Sequence, residues 1–405
     1  MLQTIVIVQD FAHINGGNAK VALSEAIALR EQDFRVIVFS AVAPIEKSLL
    51  ESGVEVLCLN INDSLHEKNK VKAAFNGIWN RRAQREFSNL LSGLNPSTTI
   101  IHFHCWIKAL SSSLFIVTAR FNFKIVVTLH DFFSICPNGG LFNYPENDVC
   151  RKKPMSLACQ CCNCDSRSRM QKYWRVIRQY FMNYALRKNK EISLISISAL
   201  TTRLIVPELK PYIKKIYTVD NPVEQNQTGI VDIGSNEYYT LISRISEEKG
   251  IDMFCKAMRH LKLKGQVLGD GDLLGKYREK YPEVVFRGWC SGKDKELYVR
   301  QTKCLVLASR WYETFGLVVA EMKSYGIPSI VPDESAASEQ ITDGVNGFVF
   351  ASRDQNSLEE TIQKVEGQDF NNLQKRILES NDCCRYTMAS HVKNLIACYK
   401  EMLSD

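Results

Sequence analysis

The chain has 405 residues, a length that usually divides into two domains because a single hydrophobic core rarely grows so large. Its 45% hydrophobic and 23% charged residues are typical of a globular protein, and no apolar run approaches the roughly 20 residues that a membrane span requires. A net charge of +7 suits an anionic nucleotide or an anionic membrane surface but is too small to indicate nucleic-acid binding.

The amino-terminal segment 1–8 is apolar but short. It lacks a basic leader and a small-residue cleavage site, so it predicts a first strand rather than a signal peptide. We therefore expect a cytoplasmic protein, in which most of the fourteen cysteines would be reduced or metal-bound rather than joined as disulfides.

The first half of the chain alternates apolar strands with amphipathic helices, which is the pattern of parallel βαβ units. A polar, basic stretch at 64–85 predicts a loop and a surface helix, and a stretch at 134–168 rich in Cys, Pro, Asn and Gly predicts an insertion. Strands are predicted at 5–8, 35–39, 54–59, 99–103, 124–129, 193–197 and 216–219, with helices at 19–29, 110–119 and 172–186.

A second α/β series follows the polar stretch 223–236, which predicts an interdomain linker after the turn signal Asn221-Pro222. The two series together predict two similar α/β domains with a cleft between them. The predicted elements of the second series are strands at 239–242, 265–268, 284–286, 304–307, 329–331 and 347–350 and helices at 251–261 and 390–403.

Two glutamates, Glu313 and Glu321, stand eight residues apart around the start of a predicted helix. The strand 304–307 precedes them, and loops at the carboxyl ends of parallel strands face the ligand crevice. The amides that open the helix can hold a phosphate, and the two carboxylates can accept hydrogen bonds from sugar and ribose hydroxyls. The alternative is an amphipathic helix with two solvated glutamates.

Candidate residues follow three other predicted strands. Gly16 and Gly17 lie between the first strand and a helix, where the backbone can approach a phosphate or can simply turn. His130 ends a strand of the first series and either points into the crevice or serves as a core or capping residue. Arg244 and Lys249 bracket one loop, where both can reach a diphosphate or both can face solvent.

Two further strand ends carry Gly269 and Arg287, and each either meets a nucleobase or forms a plain turn. Together, and in this order, these residues resemble those of the glycosyltransferase family 4 enzymes, which have the two-domain GT-B architecture. The resemblance covers nearly the whole chain and is strongest from residue 244 to residue 348, where the Glu-x7-Glu motif lies.

The resemblance implies a role for each residue. Glu313 would contact the donor sugar, Glu321 would contact the ribose, and His130 would lie near the reacting carbon. Arg244 and Lys249 would neutralise the diphosphate leaving group in place of a divalent metal. The resemblance also implies that the anomeric configuration is retained and that no catalytic cofactor is needed. The remaining donor contacts would come from Gly16, Gly17, Gly269, Arg287, Phe315, Gly316, Leu317 and Val318.

The implied architecture is an acceptor-binding Rossmann-like domain at 1–222, a nucleotide-sugar-binding domain at 223–385 and a helix at 386–405 that packs back on the first domain. The implied activity is retaining transfer of a hexose-type sugar from a nucleoside diphosphate sugar to a glycan or polyprenyl-diphosphate-linked acceptor of a bacterial capsule, O-antigen or exopolysaccharide. No position separates the bases, and we take UDP in preference to GDP. The alternatives are a nucleotide-sugar-modifying enzyme of this architecture and a non-catalytic binding protein.

Six cysteines lie within the insertion, at 136, 150, 159, 161, 162 and 164. Because zinc favours four thiolates in structural sites, they predict a zinc site with Cys136, Cys150, Cys159 and Cys164 as ligands. Their irregular spacing matches no zinc ribbon, so packed free thiols and disulfides are the alternatives.

The segment 167–190 carries eight basic residues with five aromatic residues between them, and the one nearby acid, Asp165, lies just before it. A basic amphipathic helix with aromatic residues can lie on the anionic inner face of the plasma membrane, as a peripheral association. The alternative is a helix that buries its aromatic face and solvates its basic face.

Overall fold

The computed structural model describes residues 1–189, 192–224, 229–380 and 385–404 of the chain. The chain forms two compact α/β units. The first unit consists of residues 1–140, 152–222 and 388–405, and the second unit consists of residues 141–151 and 223–387. Lys190, the last basic residue of the segment 167–190, lies outside the described residues.

The strands of both units are short and mostly buried. In chain order they are β1 Thr4–Phe11, β2 Arg35–Val42, β3 Glu55–Cys58, β4 Thr99–Cys105, β5 Lys124–Thr128, β6 Phe142–Asn143, β7 Asp148–Val149, β8 Ile192–Ser196, β9 Ile213–Thr218, β10 Tyr238–Ile242, β11 Lys264–Leu268, β12 Val285–Gly288, β13 Thr302–Val306, β14 Ser329–Pro332 and β15 Phe348–Phe350.

The helices pack against the sheets or extend at the surface. In chain order they are α1 Gly17–Arg30, α2 Lys47–Glu51, α3 Lys70–Ile78, α4 Arg81–Ser92, α5 Ser113–Phe121, α6 Leu157–Cys161, α7 Arg169–Arg187, α8 Ala199–Leu209, α9 Ile251–Leu261, α10 Leu274–Lys280, α11 Gly292–Val299, α12 Leu317–Ser324, α13 Gln355–Glu366, α14 Phe370–Glu379 and α15 Met388–Ser404.

The sheet of the first unit is parallel and has the strand order β3-β2-β1-β4-β5-β8-β9. All eight residues of β1 are buried, as expected for a central strand covered by helices on both faces. The chain returns to this unit through α15, whose Leu395, Tyr399 and Met402 join the same apolar core as Ile5 and Leu23.

The sheet of the second unit is also parallel, with the order β12-β11-β10-β13-β14-β15. The strand order reverses beside β10, which pairs with β11 on one side and β13 on the other. In an open α/β sheet, ligands bind outside the carboxyl ends of the strands at this reversal. The predicted fold class, two Rossmann-like α/β domains, is confirmed.

The predicted insertion contains more regular structure than its composition indicates. Its β6–β7 hairpin belongs to the second unit, where Asp148 accepts from Arg353 at 2.9 Å and the Asn147 carbonyl accepts from Arg310 Nε at 3.3 Å. Its remaining residues, including α6, stay in the first unit. Such long-range ion pairs leave no periodic signal in a sequence, so the assignment of residues 141–151 required coordinates.

Candidate active site

The predicted residues of the second unit gather at the carboxyl edge of its sheet. Arg244 and Lys249 lie in the connection after β10, whereas Glu313 lies in the connection after β13. Because β10 and β13 are neighbours, their two following connections start side by side. The parallel topology therefore brings together residues that are 64 positions apart in sequence.

Lys249 and Glu313 form the central ion pair of this edge. Lys249 Nζ donates to Glu313 Oε1 at 2.6 Å, and the two side chains are only 14% and 13% exposed. Ser309 Oγ also donates to Glu313 Oε1 at 2.6 Å, and the Lys249 ammonium lies 4.6 Å from the centre of the Trp311 ring. Burial alone would raise the pKa of Glu313, but the charge and hydrogen bond of Lys249 hold it below its usual value.

Arg244 differs from Lys249 in its surroundings. Its side chain is 62% exposed, and its Nη2 donates to Glu248 Oε1 at 2.8 Å. Glu248 is buried and also accepts from Ser246 Oγ at 2.8 Å, so the acid is held within its own loop. The exposed guanidinium can exchange this partner for a phosphate oxygen, since arginine binds either group in a bidentate manner.

The turn Glu313–Leu317 is braced where α12 begins. Gly316 has a φ of 87°, and a Cβ added there would lie 2.7 Å from the Cβ of Ala337, so glycine is required. Gln340 Nε2 donates to the Phe315 carbonyl at 2.7 Å, and Lys323 Nζ donates to the Gln340 carbonyl. Burial lowers the pKa of Lys323 to about 8.

Glu321 lies on the first turns of α12 and is paired with a residue that sequence reasoning missed. Lys295 Nζ on α11 donates to Glu321 Oε1, with side chains 22% and 14% exposed. Phe315 is buried beside Tyr386, whereas Leu317 and Val318 are half-buried at the start of α12. The amino terminus of the helix is thus flanked by a half-buried carboxylate.

The ends of β11 and β12 complete this edge. Gly269 has a φ of 147°, and a Cβ there would lie 1.8 Å from the Ser243 carbonyl oxygen, so only glycine permits the two connections to approach. Its amide donates to the Gly288 carbonyl at 2.8 Å. Arg287 lies 4.5 Å from the centre of the Tyr298 ring and donates through Nε to Gln266 at 3.3 Å, which fixes its guanidinium over this edge.

Three predicted donor residues lie in the first unit. Gly16 caps α1 and Gly17 is its first residue, directly after β1. His130 follows β5, is 4% exposed, and lies with Nε2 2.9 Å from His104 Nδ1. Burial lowers the pKa of His130 well below its usual range, so the ring is neutral near pH 7.

Three of the four predicted zinc ligands lie in the first unit. Cys136, Cys159 and Cys164 are buried there, whereas Cys150 belongs to the second unit. The ammonium of Lys172 lies 3.3 Å from Cys164 Sγ and 3.7 Å from Cys159 Sγ. Within the described residues this cluster is not among the groups whose ligand atoms all lie within 4.8 Å of one another, so its thiols are not gathered around one ion, and the Lys172 ammonium lies beside two of them.

The basic segment has an orientation that neither sequence interpretation anticipated. Arg178 is buried, donates to the Pro137 carbonyl at 2.8 Å and lies over the rings of Phe133 and Trp174. Arg175 pairs with Asp165 at 3.0 Å. The aromatic face is the exposed one, because the tyrosines and phenylalanine of α7 are 42% to 54% exposed: Tyr173, Tyr180, Phe181 and Tyr184. The expectation that these aromatic residues pack inward is wrong.

No helix within the described residues is long and apolar enough to cross a membrane. The arrangement of the second unit, two cations and two carboxylates at the carboxyl edge of a parallel sheet beside a helix amino terminus, suits a diphosphate with attached hydroxyl-bearing groups.

Comparisons with known proteins agree with this chemistry. Residues 225–381 match the family model described as glycosyl transferases group 1. This match lies within the second unit and covers most of it. The prediction of a glycosyltransferase enzyme agrees with this match.

Full-length similarity is seen among solved structures. A glycosyltransferase from Rickettsia africae superposes with a TM-score of 0.67 at 16% identity, covering 100% of this chain and 99% of that chain. Anabaena HepE in complex with UDP superposes with a TM-score of 0.64 at 15% identity, covering 99% and 100%. At these identities the likeness shows the shared GT-B fold.

Among curated relatives, a 41.2 kDa protein of a cps region in Klebsiella pneumoniae is 28% identical over 148 residues. The aligned part is 35% of this chain, and it spans only 38% of that relative's length.

Proposed function

We propose that this chain is a retaining glycosyltransferase of family 4 that moves a hexose-type sugar from a nucleoside diphosphate sugar to a glycan or lipid-linked glycan. The observation that supports it most is the buried Lys249–Glu313 pair at the carboxyl edge of a sheet whose domain matches group 1 glycosyltransferases. In the proposal the second unit binds the donor, and the first unit binds the acceptor.

The leaving group is the diphosphate, and its charge is met by fixed cations. Arg244 and Lys249 bind the phosphate oxygens, while the amides of residues 315–318 at the start of α12 add partial positive charge. Cations of this kind stabilise the departing diphosphate in the role that a divalent metal plays elsewhere, so no catalytic metal is required.

The two glutamates bind and orient the donor rather than acting as an acid and base across the bond. Glu313 accepts hydrogen bonds from sugar hydroxyls through the carboxylate that also pairs with Lys249. Glu321 accepts from the ribose hydroxyls, with Lys295 fixing its rotamer. Ordered binding of this kind lowers the barrier because the reacting groups no longer need to be brought together.

The remaining donor contacts are proposed from Gly16, Gly17 and His130 of the first unit and from Gly269 and Arg287 of the second. UDP is the proposed nucleotide of the donor. The choice is supported by the similar fold of HepE, which was solved in complex with UDP. The similarity to a protein of a cps region supports surface polysaccharide biosynthesis as the role. The proposed acceptor is a polyprenyl-diphosphate-linked glycan.

A thermal-shift screen against a panel of nucleotide sugars tests the proposal. A ligand that binds only the folded state raises the Tm. At a hundredfold excess over its Kd, it raises the free energy of unfolding by about 2.7 kcal/mol. We expect one nucleoside diphosphate sugar and its nucleoside diphosphate to raise the Tm, and the sugar alone to leave it unchanged. No shift with any UDP or GDP sugar would contradict the proposed donor.

We also propose that the protein associates with the cytoplasmic face of the membrane through the exposed aromatic stripe of α7. Phe75 on the neighbouring helix α3 is 71% exposed and extends the stripe, and Trp174 Nε1 ties the two helices by donating to the Ala74 carbonyl at 3.0 Å. Tyrosine and phenylalanine favour the membrane interface, and flanking bases such as Arg169 and Lys188 are each worth about 1 kcal/mol beside anionic lipid.

The first prediction separates the stripe from the inward-facing bases. Substitution of Tyr173, Tyr180 and Tyr184 by serine is expected to lower binding to anionic vesicles at least about tenfold without changing the Tm, because these rings are exposed. The matched control is Trp289→Ser, an exposed aromatic of the second unit, which should bind vesicles normally. Wild-type protein that ignores anionic vesicles at low salt would refute the membrane proposal.

The buried arginine of α7, Arg178, is expected to affect the stability of the fold rather than vesicle binding. Arg178→Glu is expected to destabilise the fold rather than to release a folded protein, because an unpaired buried charge costs on the order of 3–5 kcal/mol. A folded Arg178→Glu variant with an unchanged Tm would show that this arginine does not face inward.

The structural zinc is likewise a proposal, with Cys136, Cys150, Cys159 and Cys164 as its ligands. Protein purified under reducing conditions is expected to carry about one zinc per chain, and Cys159→Ser with Cys164→Ser should remove it. Cys161→Ser is the control, because Cys161 is exposed and outside the proposed ligand set. Elemental analysis without zinc in the wild-type protein would leave the cluster as packed thiols.

A further inference from the structure

A group of potential metal ligands is buried in the core of the first unit. One carboxylate oxygen of Glu25 and one ring nitrogen each of His102 and His104 all lie within 4.8 Å of one another. Glu25 and His102 have no exposed surface, and His104 is 2% exposed. Polar groups that meet in an apolar core need partners there, because burial of an unpaired polar group costs free energy.

The group is assembled from two elements that face each other. Glu25 lies on α1, whereas His102 and His104 lie two residues apart on β4, so both rings point to the same face of the sheet. His102 Nδ1 lies 2.9 Å and His104 Nε2 lies 3.5 Å from the same carboxylate oxygen, Glu25 Oε1. Two nitrogens of one strand therefore converge on one oxygen of the facing helix.

These separations suit ligands around one ion. Zinc bonds to nitrogen and oxygen are about 2.0–2.2 Å long, so neighbouring ligand atoms of a tetrahedral site are about 3.3 Å apart. The hydroxyl of Tyr399 on α15 supplies a fourth ligand atom, 3.1 Å from Glu25 Oε1 and 2.6 Å from His102 Nδ1. The shortest of these contacts must lengthen by about 0.7 Å to admit the ion.

His104 Nε2 is the atom that favours an ion over a network of hydrogen bonds alone. This nitrogen is buried and makes no hydrogen bond within the described residues, although Glu25 Oε1 lies 3.5 Å away. A hydrogen bond over that distance would be long, whereas the same distance is ordinary between two ligands of one ion. A bound cation would satisfy the nitrogen and the carboxylate together.

The opposite nitrogen of each ring also has a polar neighbour. His102 Nε2 lies 2.6 Å from Thr128 Oγ1, and His104 Nδ1 lies 2.9 Å from His130 Nε2. Histidines that bind a metal are typically oriented by such a contact at the nitrogen that does not face the ion. Both rings are therefore held with Nδ1 of His102 and Nε2 of His104 directed at the carboxylate.

We propose that this buried group binds one divalent transition-metal ion through four ligands: Glu25, His102, His104 and Tyr399. Imidazole and carboxylate ligands in a closed four-coordinate site suit zinc. The site is structural, because its ligands have almost no exposed surface and no substrate reaches the ion. The ion joins α15 to α1 and β4, and so holds the carboxyl-terminal helix on the first unit. It is additional to the zinc proposed for the cysteine cluster and takes no part in sugar transfer.

Cobalt(II) replaces zinc as a spectroscopic probe, and it is supplied during expression of the full-length chain because the site is closed. Cobalt bound by nitrogen and oxygen ligands gives visible absorption bands, whereas thiolate ligands add a charge-transfer band in the near ultraviolet. Protein with both Cys159→Ser and Cys164→Ser is expected to hold about one cobalt ion per chain with visible bands alone.

Two variants in that background test the ligands. His104→Gln is expected to lose the cobalt ion and its visible bands. The matched control is His391→Gln, which changes a side chain 3.2 Å from Glu25 Oε2 but removes no proposed ligand, and it should keep both. A metal that binds only the folded state raises the Tm, so the cobalt-loaded protein should also melt at a higher temperature than the His104→Gln variant.

Two results would overturn the proposal. One is folded wild-type protein that holds no cobalt, or only cobalt with the thiolate charge-transfer band, and this result needs no variant. The other is a folded His104→Gln variant that keeps the full cobalt content and the same visible bands. Neither measurement involves a nucleotide sugar, so failure of the metal site and failure of the proposed function are distinguishable.

Discussion

Replacement of Lys249 by alanine is expected to lower the rate of sugar transfer by about a hundredfold or more, the scale of losing one charge-stabilising donor at a developing anion. Lys249 is the more buried of the two proposed phosphate-binding cations, and its ammonium is already desolvated beside Glu313 and Trp311. A cation in such surroundings acts more strongly on a phosphate than an exposed one, because little water screens it.

Two further variants separate catalysis from folding. Lys249→Ala leaves the carboxylate of Glu313 buried without its partner, which costs stability on the order of 3–5 kcal/mol. The double variant Lys249→Ala, Glu313→Gln removes that unpaired charge, so it should recover the Tm but not the transfer rate. Lys293→Ala on α11 is the exposed control and should behave as wild type.

Arg244→Ala is expected to lower the rate as well, since the proposal gives both cations the same phosphate. Its effect on the Tm should be small, because the arginine is largely exposed. Near-normal turnover in both single variants, measured as release of the nucleoside diphosphate, would remove the proposed diphosphate site.

The second large effect distinguishes the two glutamates by what they bind. Glu321→Ala is expected to weaken binding of the bare nucleoside diphosphate by about tenfold to a hundredfold, because a hydrogen bond to a charged group is worth about 1.5–3 kcal/mol. Glu313→Ala should leave that Kd nearly unchanged while it lowers transfer, because the proposed partner of Glu313 is the sugar.

Calorimetric titration of UDP and GDP into each variant measures this difference. Glu279→Ala, an exposed glutamate on α10, is the control for loss of a surface charge. If Glu321→Ala and wild type bind the nucleoside diphosphate equally, the ribose assignment is wrong. If Glu313→Ala loses the binding of the bare nucleotide, its role is to hold Lys249 rather than to contact the sugar.

Much of the fold follows from local sequence patterns. The apolar runs that became β1, β10 and β13 are buried on both faces, which is the situation that a continuous apolar strand predicts. The approach of Lys249 to Glu313 also follows from sequence once β10 and β13 are recognised as neighbours, because each residue lies in the connection after its strand. Residues placed by topology are therefore within reach of sequence reasoning.

Residues that are brought together only by tertiary packing cannot be paired from the sequence. Lys295 lies on the short helix α11. Nothing in its local sequence connects it with Glu321, which is 26 positions away. The same holds for Glu25, which pairs with residues up to 374 positions distant. A basic aromatic helix such as α7 is ambiguous for a related reason, since Arg178 can be buried once two aromatic rings and a carbonyl replace its water.

Proton NMR of a transfer reaction, run with the nucleotide sugar found in the thermal-shift screen, follows the donor, the nucleotide and the product together. We expect release of the nucleoside diphosphate, transfer that continues in the presence of a chelator, and a new glycosidic bond with the anomeric configuration of the donor. An inverted product, or a nucleotide sugar converted without transfer to any glycan acceptor, would contradict this expectation.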